Sequence, residues 1–478
     1  MSQFKFSGIH RRICSAVALA LASGVLLAEN TADFANRVGT IRPSLHSAGY
    51  IAAFSNPSKE YADALLKDLN FAYSRTHDWA LEAEGQRIID THFIFPVETA
   101  DADDPNSYYF KATDEAIRLT RENAGCDIFF RLGNSIDKSD KHYNARPPKD
   151  AKKWAKVCAN IIRHYNEGWN DGFHLGIRYW EIWNEPELNS QACWTGTMSE
   201  FFEFFGTVVS ELRKVFPRDQ YPDLRFGGPA FSAYSEGYSW SCIQNSEKKG
   251  ALPDFISWHY YGTDVSAVTG KSASLHNFLR TKGTKYADIG TVIDEWHFCD
   301  RGPTTGDYDR TGVNSAAYTV ACHCGFQNTA DSNKFEVACF YGHRQSGSWG
   351  YTNSSGEPHH VYHALKMVGE VMTNCTDCCK TKASAPVYLL AARSADGRTG
   401  KLLVSYYQVG GTNTSVSVQL AGLGDTPNVT RVERIAGSTA TPTVRTDWTL
   451  ADGVLTLPKP KGSAVFLVTF AIPEEEGL

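Results

Sequence analysis

Eight short apolar runs punctuate the first part of the chain, at 40–46, 71–77, 127–132, 177–183, 224–227, 255–260, 291–293 and 337–341. Runs of this kind, bounded by polar turns, read as strands of a parallel sheet buried on both faces. Between them the period becomes helical. Ala151, Trp154, Ala155, Cys158, Ile161, Ile162 and Tyr165 recur at i, i+3, i+4 and define one buried face. Ser199 can cap the next helix, with Phe202, Phe205, Val208 and Leu212 on its inner side. Eight strands alternating with helices predict an α/β fold, a (β/α)8 barrel with loop insertions. An open doubly wound sheet would use the same elements, but no glycine-rich phosphate loop follows any strand.

After Lys380 the period drops to two. Ser415-Val-Ser-Val-Gln-Leu420 alternates, 454–457 and 464–468 are short strands, and Asp396-Gly397 and Asp452-Gly453 are hairpin turns. This predicts a small all-β sandwich domain. No Ser/Gly- or Pro-rich spacer separates it from the barrel, so direct packing is expected, with the sandwich bracing the barrel.

Composition narrows the function. The 26 Phe, 22 Tyr and 11 Trp exclude a disordered chain. A net charge of −6, with both signs interspersed, argues against nucleic acid as a partner. Lys5, Arg11 and Arg12 precede an apolar stretch over 13–27, and Ala20, Ala22 and Ala28 offer cleavage sites. That pattern reads as a secretory signal over 1–28, hence a secreted or periplasmic protein with no membrane attachment after cleavage. A membrane anchor is the alternative, but the run is short of the roughly 20 residues a span needs. The expected organisation is a signal at 1–28, a barrel at 35–379 and a β-sandwich at 380–478. Twelve cysteines all precede Lys380, and the dense patches at 322–324 and 375–379 lack the spacing of a zinc site. Buried thiols or disulfides are expected, with no metal and no organic cofactor.

Two predicted strands end in glutamate: Trp180-Glu-Ile-Trp-Asn-Glu-Pro186 and Val292-Ile-Asp-Glu-Trp296. Catalytic groups of such barrels sit at the C-terminal ends of strands. Glu185 and Glu295 would fall on the fourth and seventh of eight strands and aim at one point across the mouth. Carboxylates inside aromatic stretches are unfavourable unless function retains them. Facing carboxylates suit glycosidic cleavage, one protonated to donate to the leaving oxygen and the other ionised to attack. Asp294 is a rival carboxylate, although strand alternation should turn only one of Asp294 and Glu295 into the lumen.

On these motifs the chain resembles clan A glycoside hydrolases, which are retaining barrel enzymes, and within them glycoside hydrolase family 39, the family of β-xylosidases and α-L-iduronidases. Arg75-Thr-His-Asp78 is similar to the family's Arg-x-His element, and Phe255-Ile-Ser-Trp-His-Tyr-Tyr261 to its sixth-strand histidine segment. The resemblance implies Glu185 as acid/base and Glu295 as nucleophile. It implies Asn184 on the sugar 2-hydroxyl, Arg75 beneath the nucleophile holding it ionised, and His77 and His259 on the glycone. Tyr261 would hydrogen-bond the nucleophile, with Tyr260 a competitor. His46, at the end of the first strand, and Trp349, as a stacking platform, complete the candidate substrate-binding set. The Tyr341-Gly-His-Arg344 segment lacks the aromatic run associated with the xylosidases. The expected function is exo-acting, β-xylosidase-like hydrolysis of oligosaccharide or polysaccharide by double displacement. Alternatives are another sugar specificity (α-L-iduronidase-like or endo-acting), a non-catalytic carbohydrate-binding protein on the same barrel, or a barrel enzyme for phosphorylated metabolites using Arg344.

Overall fold

The computed structural model describes residues 30–49, 65–79, 87–137, 139–188, 193–300, 310–329, 333–342, 349–424 and 426–473. The expected leader at 1–28 and Arg344 lie outside these residues. Among the described residues β1 (Thr31–Thr40) comes first, and a closed barrel of eight parallel strands follows. These are β2 (Ser47–Ala48), β3 (Tyr73–Arg75), β4 (Asp127–Leu132), β5 (Tyr179–Ile182), β6 (Arg225–Phe231), β7 (Phe255–Gly262), β8 (Gly290–Phe298) and β9 (Phe335–Phe340). The expected barrel is present, and its first strand is displaced: 40–46 is an approach segment with a turn of 3-10 helix at Pro43–Leu45, and Ser47–Ala48 makes the pairing.

Helices α1 (Lys111–Leu119), α2 (Ala151–Glu167), α3 (Met198–Val215), α4 (Glu236–Lys248), α5 (Val265–Lys282), α6 (Val313–Asn328) and α7 (His360–Asn374) lie between and after the barrel strands in sequence. Local chemistry sets their ends. Asp150 accepts from the backbone N–H of Lys152 and Lys153 at the start of α2, and Gly168, with φ +76°, ends it. Thr197, not Ser199, caps α3, in a reciprocal capping box with Glu200.

Inside the barrel the pleat sorts residues into layers. Phe129, Tyr179, Phe255, Val292, Val337 and Cys339 form one apolar layer, with Tyr73 packed against it. Two residues further along the strands, the same inward series continues as Arg75, Arg131, Glu181, Ser257 and Asp294, all with no exposed surface. The polar site therefore stands on a hydrophobic floor.

The second sheet has ten strands: β1, β10 (Asp377–Lys382), β11 (Val387–Arg393), β12 (Thr399–Tyr406), β13 (Ser415–Ala421), β14 (Asn428–Ala436), β15 (Thr439–Val444), β16 (Thr449–Ala451), β17 (Val454–Pro458) and β18 (Ala464–Ala471). β1 sits between β10 and β13, antiparallel to the first and parallel to the second. The expected barrel start at 35 thus falls inside a strand of the other sheet, because Ala32 and Phe34 alternate into that sheet's core. The expected boundary at 380 falls inside β10. One apolar cluster joins β1, β11, β12, β13, β17 and β18. A second joins Leu390, Leu403, Val465 and Leu467 of the sheet to Ala316, Val320, Met367 and Val371 of α6 and α7. The eleven cysteines from Cys126 onward are buried, and no disulfide joins any two of them. No helix among the described residues is long and apolar enough to cross a membrane.

The shared core makes a prediction. Leu403→Ala, at a fully buried position of that cluster, destabilises the protein by about 2–4 kcal/mol. Denaturation followed by near-ultraviolet dichroism, which the barrel tryptophans dominate, shifts by the same amount; an unshifted barrel transition would mean the sheet does not brace it.

Candidate active site

The site is built on Arg75, the last residue of β3. Its three nitrogens reach three partners: Nε donates to Glu181 at 2.6 Å, Nη1 to Glu295 at 2.7 Å and Nη2 to the Asn184 amide oxygen at 2.7 Å. Nη2 also lies 3.1 Å from Asp294 Oδ2. Arg75 is fully buried, and despite that burial the three carboxylates raise its pKa well above the ordinary value. Burial pushes Glu181 up to about 8, against the pull of Arg75 and of the Ser257 hydroxyl bonded to it at 2.7 Å.

The chain after β5 turns sharply to present two functional side chains. Trp183 and Glu185 both take left-handed backbone angles, φ +79° and +48°, a conformation that side chains other than glycine adopt only when the surroundings hold it. Here they do: Trp183 N–H donates to the Leu132 carbonyl at 2.7 Å and Glu185 N–H to that of Ala230 at 2.9 Å. Gly133 makes room, since a Cβ there would come within 2.9 Å of the Trp183 ring. Asn184 meets Arg75, and its Nδ2 has no hydrogen-bond partner among the described residues.

His259 on β7 joins the two glutamates. Its Nδ1 is 3.0 Å from Glu185 Oε1 and 3.4 Å from Glu295 Oε2, while Nε2 lies 3.3 Å from Asp294 Oδ2. The two carboxylates can therefore be no farther apart, at their nearest oxygens, than those first two distances laid end to end. Burial opposes a charge on His259, but Glu295 and Asp294 outweigh it and raise its pKa well above the usual histidine value. Tyr261 donates its hydroxyl to Glu295 Oε2 at 2.6 Å. Tyr260 is not at this oxygen; it packs on the main barrel core. His77 Nε2 is 3.6 Å from Glu295 Oε1, and burial followed by the charge of Arg75 lowers it well below its ordinary value, so it is neutral.

Glu295 and Asp294 depart from simple alternation. Val292 and Asp294 continue the inward series, so a regular strand would turn Glu295 away. Instead Trp258 pairs with Ile293 and His259 with Glu295, leaving Asp294 as the extra residue of a β-bulge. Both carboxylates consequently reach Arg75. Burial raises Glu295 above its usual value although His259 and Arg75 oppose it, so Arg75 contacts this carboxylate without giving it a depressed pKa. For Asp294, burial also pushes upward, but Arg75 and His259 prevail and lower it.

Trp349 stands at the mouth, edge-on to Tyr261 and Tyr341 with ring centroids 5.5 Å from each, and the Arg310 guanidinium lies 4.0 Å over its ring. His46 is not brought to the site. It precedes β2, on the side where the strand begins, and is fully buried between Phe71, His323 and the Leu69 carbonyl. Glu181, Ser257 and Tyr341 belong to the site region without having been expected there. A charged residue at an inward strand position was the available sign for Glu181. Among the described residues no group of His, Cys, Asp and Glu is arranged to hold a metal ion.

Fold and site together define a (β/α)8-barrel protein with a paired-carboxylate centre at the C-terminal mouth. The chain belongs to the family of glycosyl hydrolases family 39, whose model matches residues 33–327. A β-xylosidase of Caldicellulosiruptor saccharolyticus is 34% identical over 139 residues, 27% of this chain and 25% of that protein. The chain thus matches about a quarter of that relative's length. Among solved structures, a glucosidase from Croceicoccus marinus has a TM-score of 0.70 at 20% identity, covering 94% of this chain and 100% of the other. An α-L-arabinofuranosidase from Thermotoga maritima, solved with arabinose, has a TM-score of 0.64 at 13% identity, covering 92% and 99%. Both share the fold.

Removing the Arg75 guanidinium, which joins β3, β5 and β8, takes that partner from buried Glu181, Asp294 and Glu295. Arg75→Met is therefore expected to destabilise the protein by about 3–5 kcal/mol, read from urea unfolding. Stability equal to the wild type would mean the cluster is held by other contacts.

Proposed function

We propose that the protein is a retaining glycoside hydrolase. The observation that carries this reading is the convergence of Glu185 and Glu295 on one face of His259, close enough for direct attack at a sugar carbon lying between them. Inverting enzymes hold their carboxylates farther apart to admit a water. Glu295, held by Arg75 and Tyr261, attacks the anomeric carbon while Glu185 gives its proton to the leaving oxygen. A covalent glycosyl ester forms and the glycosidic C–O bond breaks. Glu185, now ionised, takes a proton from water; the water oxygen attacks the same carbon and releases Glu295.

Asn184 Nδ2 is available to donate to the sugar 2-hydroxyl, and His77 Nδ1, also without a partner among the described residues, to another glycone hydroxyl. The leading substrate is a terminal β-xyloside, supported by family membership and by the β-xylosidase relative. Trp349 would stack against the sugar or its neighbour. The charged, then apolar, N-terminal segment supports export, which suits a polymeric glycan substrate. A purely carbohydrate-binding role is disfavoured because both carboxylates and their supports are intact.

Hydrolysis of a panel of aryl glycosides by the wild type, Glu185→Ala and Glu295→Ala tests the reading. Glu295→Ala loses activity by roughly 10⁴-fold or more. Glu185→Ala loses about 10²–10⁴-fold, least for the best leaving groups, and azide restores it as a glycosyl azide of retained configuration. Inverted product from Glu185→Ala, or full activity in either variant, would contradict the assignment.

A further inference from the structure

Asp294 has no part in the two-step reaction, yet it is fully buried inside the barrel and placed by a bulge against the same histidine that touches both reacting carboxylates. Each ring nitrogen of His259 faces carboxylate oxygen: Nε2 faces Asp294 at 3.3 Å, and Nδ1 faces Glu185 at 3.0 Å and Glu295 at 3.4 Å. Asp294 on one side of the ring and Glu295 on the other thus lie within ion-pair distance of it, and negative charge this close favours the charged imidazolium.

We propose that Asp294 is a positioning residue that holds His259 as an imidazolium between the acid/base and the nucleophile, so that the ring supplies a fixed positive charge at the two reacting carboxylates. The inference rests on the reading of Glu185 and Glu295 as the reacting pair. The surroundings of the ring support it. Arg75 of β3 contacts Asp294, and just after that strand burial and the charge of Arg75 keep His77 neutral. On β5 and just after it stand the acidic Glu181, Glu185 and Glu187, Glu181 bonded to Arg75 and Ser257. Tyr261 of β7 binds Glu295 on the other side. Two cations, Arg75 and His259, thus face Asp294 and Glu295, while burial pushes Glu181 upward.

Without the Asp294 charge, His259 loses its proton at lower pH. Glu295 then loses a cation 3.4 Å away and binds its own proton more tightly, so the nucleophile ionises only at higher pH.

The test combines two readouts on the full chain. Nitrogen-15 histidine labelling, with His259→Gln to assign the signal, reports whether both ring nitrogens carry protons. The wild type is expected to show a doubly protonated His259 at pH 7, and Asp294→Asn a neutral one. On any aryl glycoside the wild type cleaves, the acid limb of the kcat/KM profile in Asp294→Asn moves up by about one pH unit. A neutral His259 in the wild type at pH 7 overturns the proposal even if the variant does not fold. So does a folded Asp294→Asn with His259 still charged or the acid limb unmoved. The histidine signal does not depend on activity, so failure of the hydrolase reading and failure of this inference are distinguishable.

Discussion

A single guanidinium sealed from water fixes the geometry of the barrel mouth. Arg75 leaves β3 and bonds at once to β5, to the turn that follows it and to β8. A planar fork with several donors does this where the single ammonium of lysine would not. Burial makes the arrangement unforgiving, because each carboxylate facing the fork would be strongly unfavourable without it. The surrounding structure serves that interaction. The apolar layer of Phe129, Tyr179, Phe255 and Val292 closes one side, and His259 adds the second positive charge. Glu185 and Glu295 inherit their relative positions from this frame.

Much of this was legible in the amino-acid sequence, for reasons that differ by residue. The Trp-Asn-Glu-Pro turn and the Asp-Glu-Trp segment place acids inside aromatic strands, where chance seldom leaves them, and Arg75 stands at the end of an apolar run. The barrel follows from the alternation of strand and helix periods. Three features were not legible. β1 has no side-chain pattern that names its sheet, and only its pairing with β10 and β13 assigns it to the second one. His46 has the same composition cue as His77, and which end of a strand a histidine occupies depends on a register that periodicity does not set. The bulge at Asp294 changes the inward face by one residue, and no side-chain pattern announces an extra residue in a ladder.

Membership in glycosyl hydrolases family 39 coexists with low identity to solved relatives, 20% for the Croceicoccus marinus glucosidase and 13% for the Thermotoga maritima arabinofuranosidase. Barrel chemistry explains the coexistence. The strands need only apolar volume and a few inward polar positions, so most residues are free to change. In barrels of this kind the loops at the C-terminal face carry specificity; here Trp349 and Tyr341 pack edge-on to Tyr261 and Arg310 lies over Trp349.

The central claim is that Glu295, not the adjacent Asp294, forms the covalent bond to sugar. Incubation with a panel of 2-deoxy-2-fluoro glycosyl fluorides, followed by mass spectrometry of the digested protein, tests it most directly, because the fluorine slows release of the glycosyl ester. One fluoroglycosyl group per chain is expected, on the Glu295 side chain, and absent from Glu295→Ala. A label on Asp294, or on Glu295→Ala protein at the wild-type level, would contradict the account.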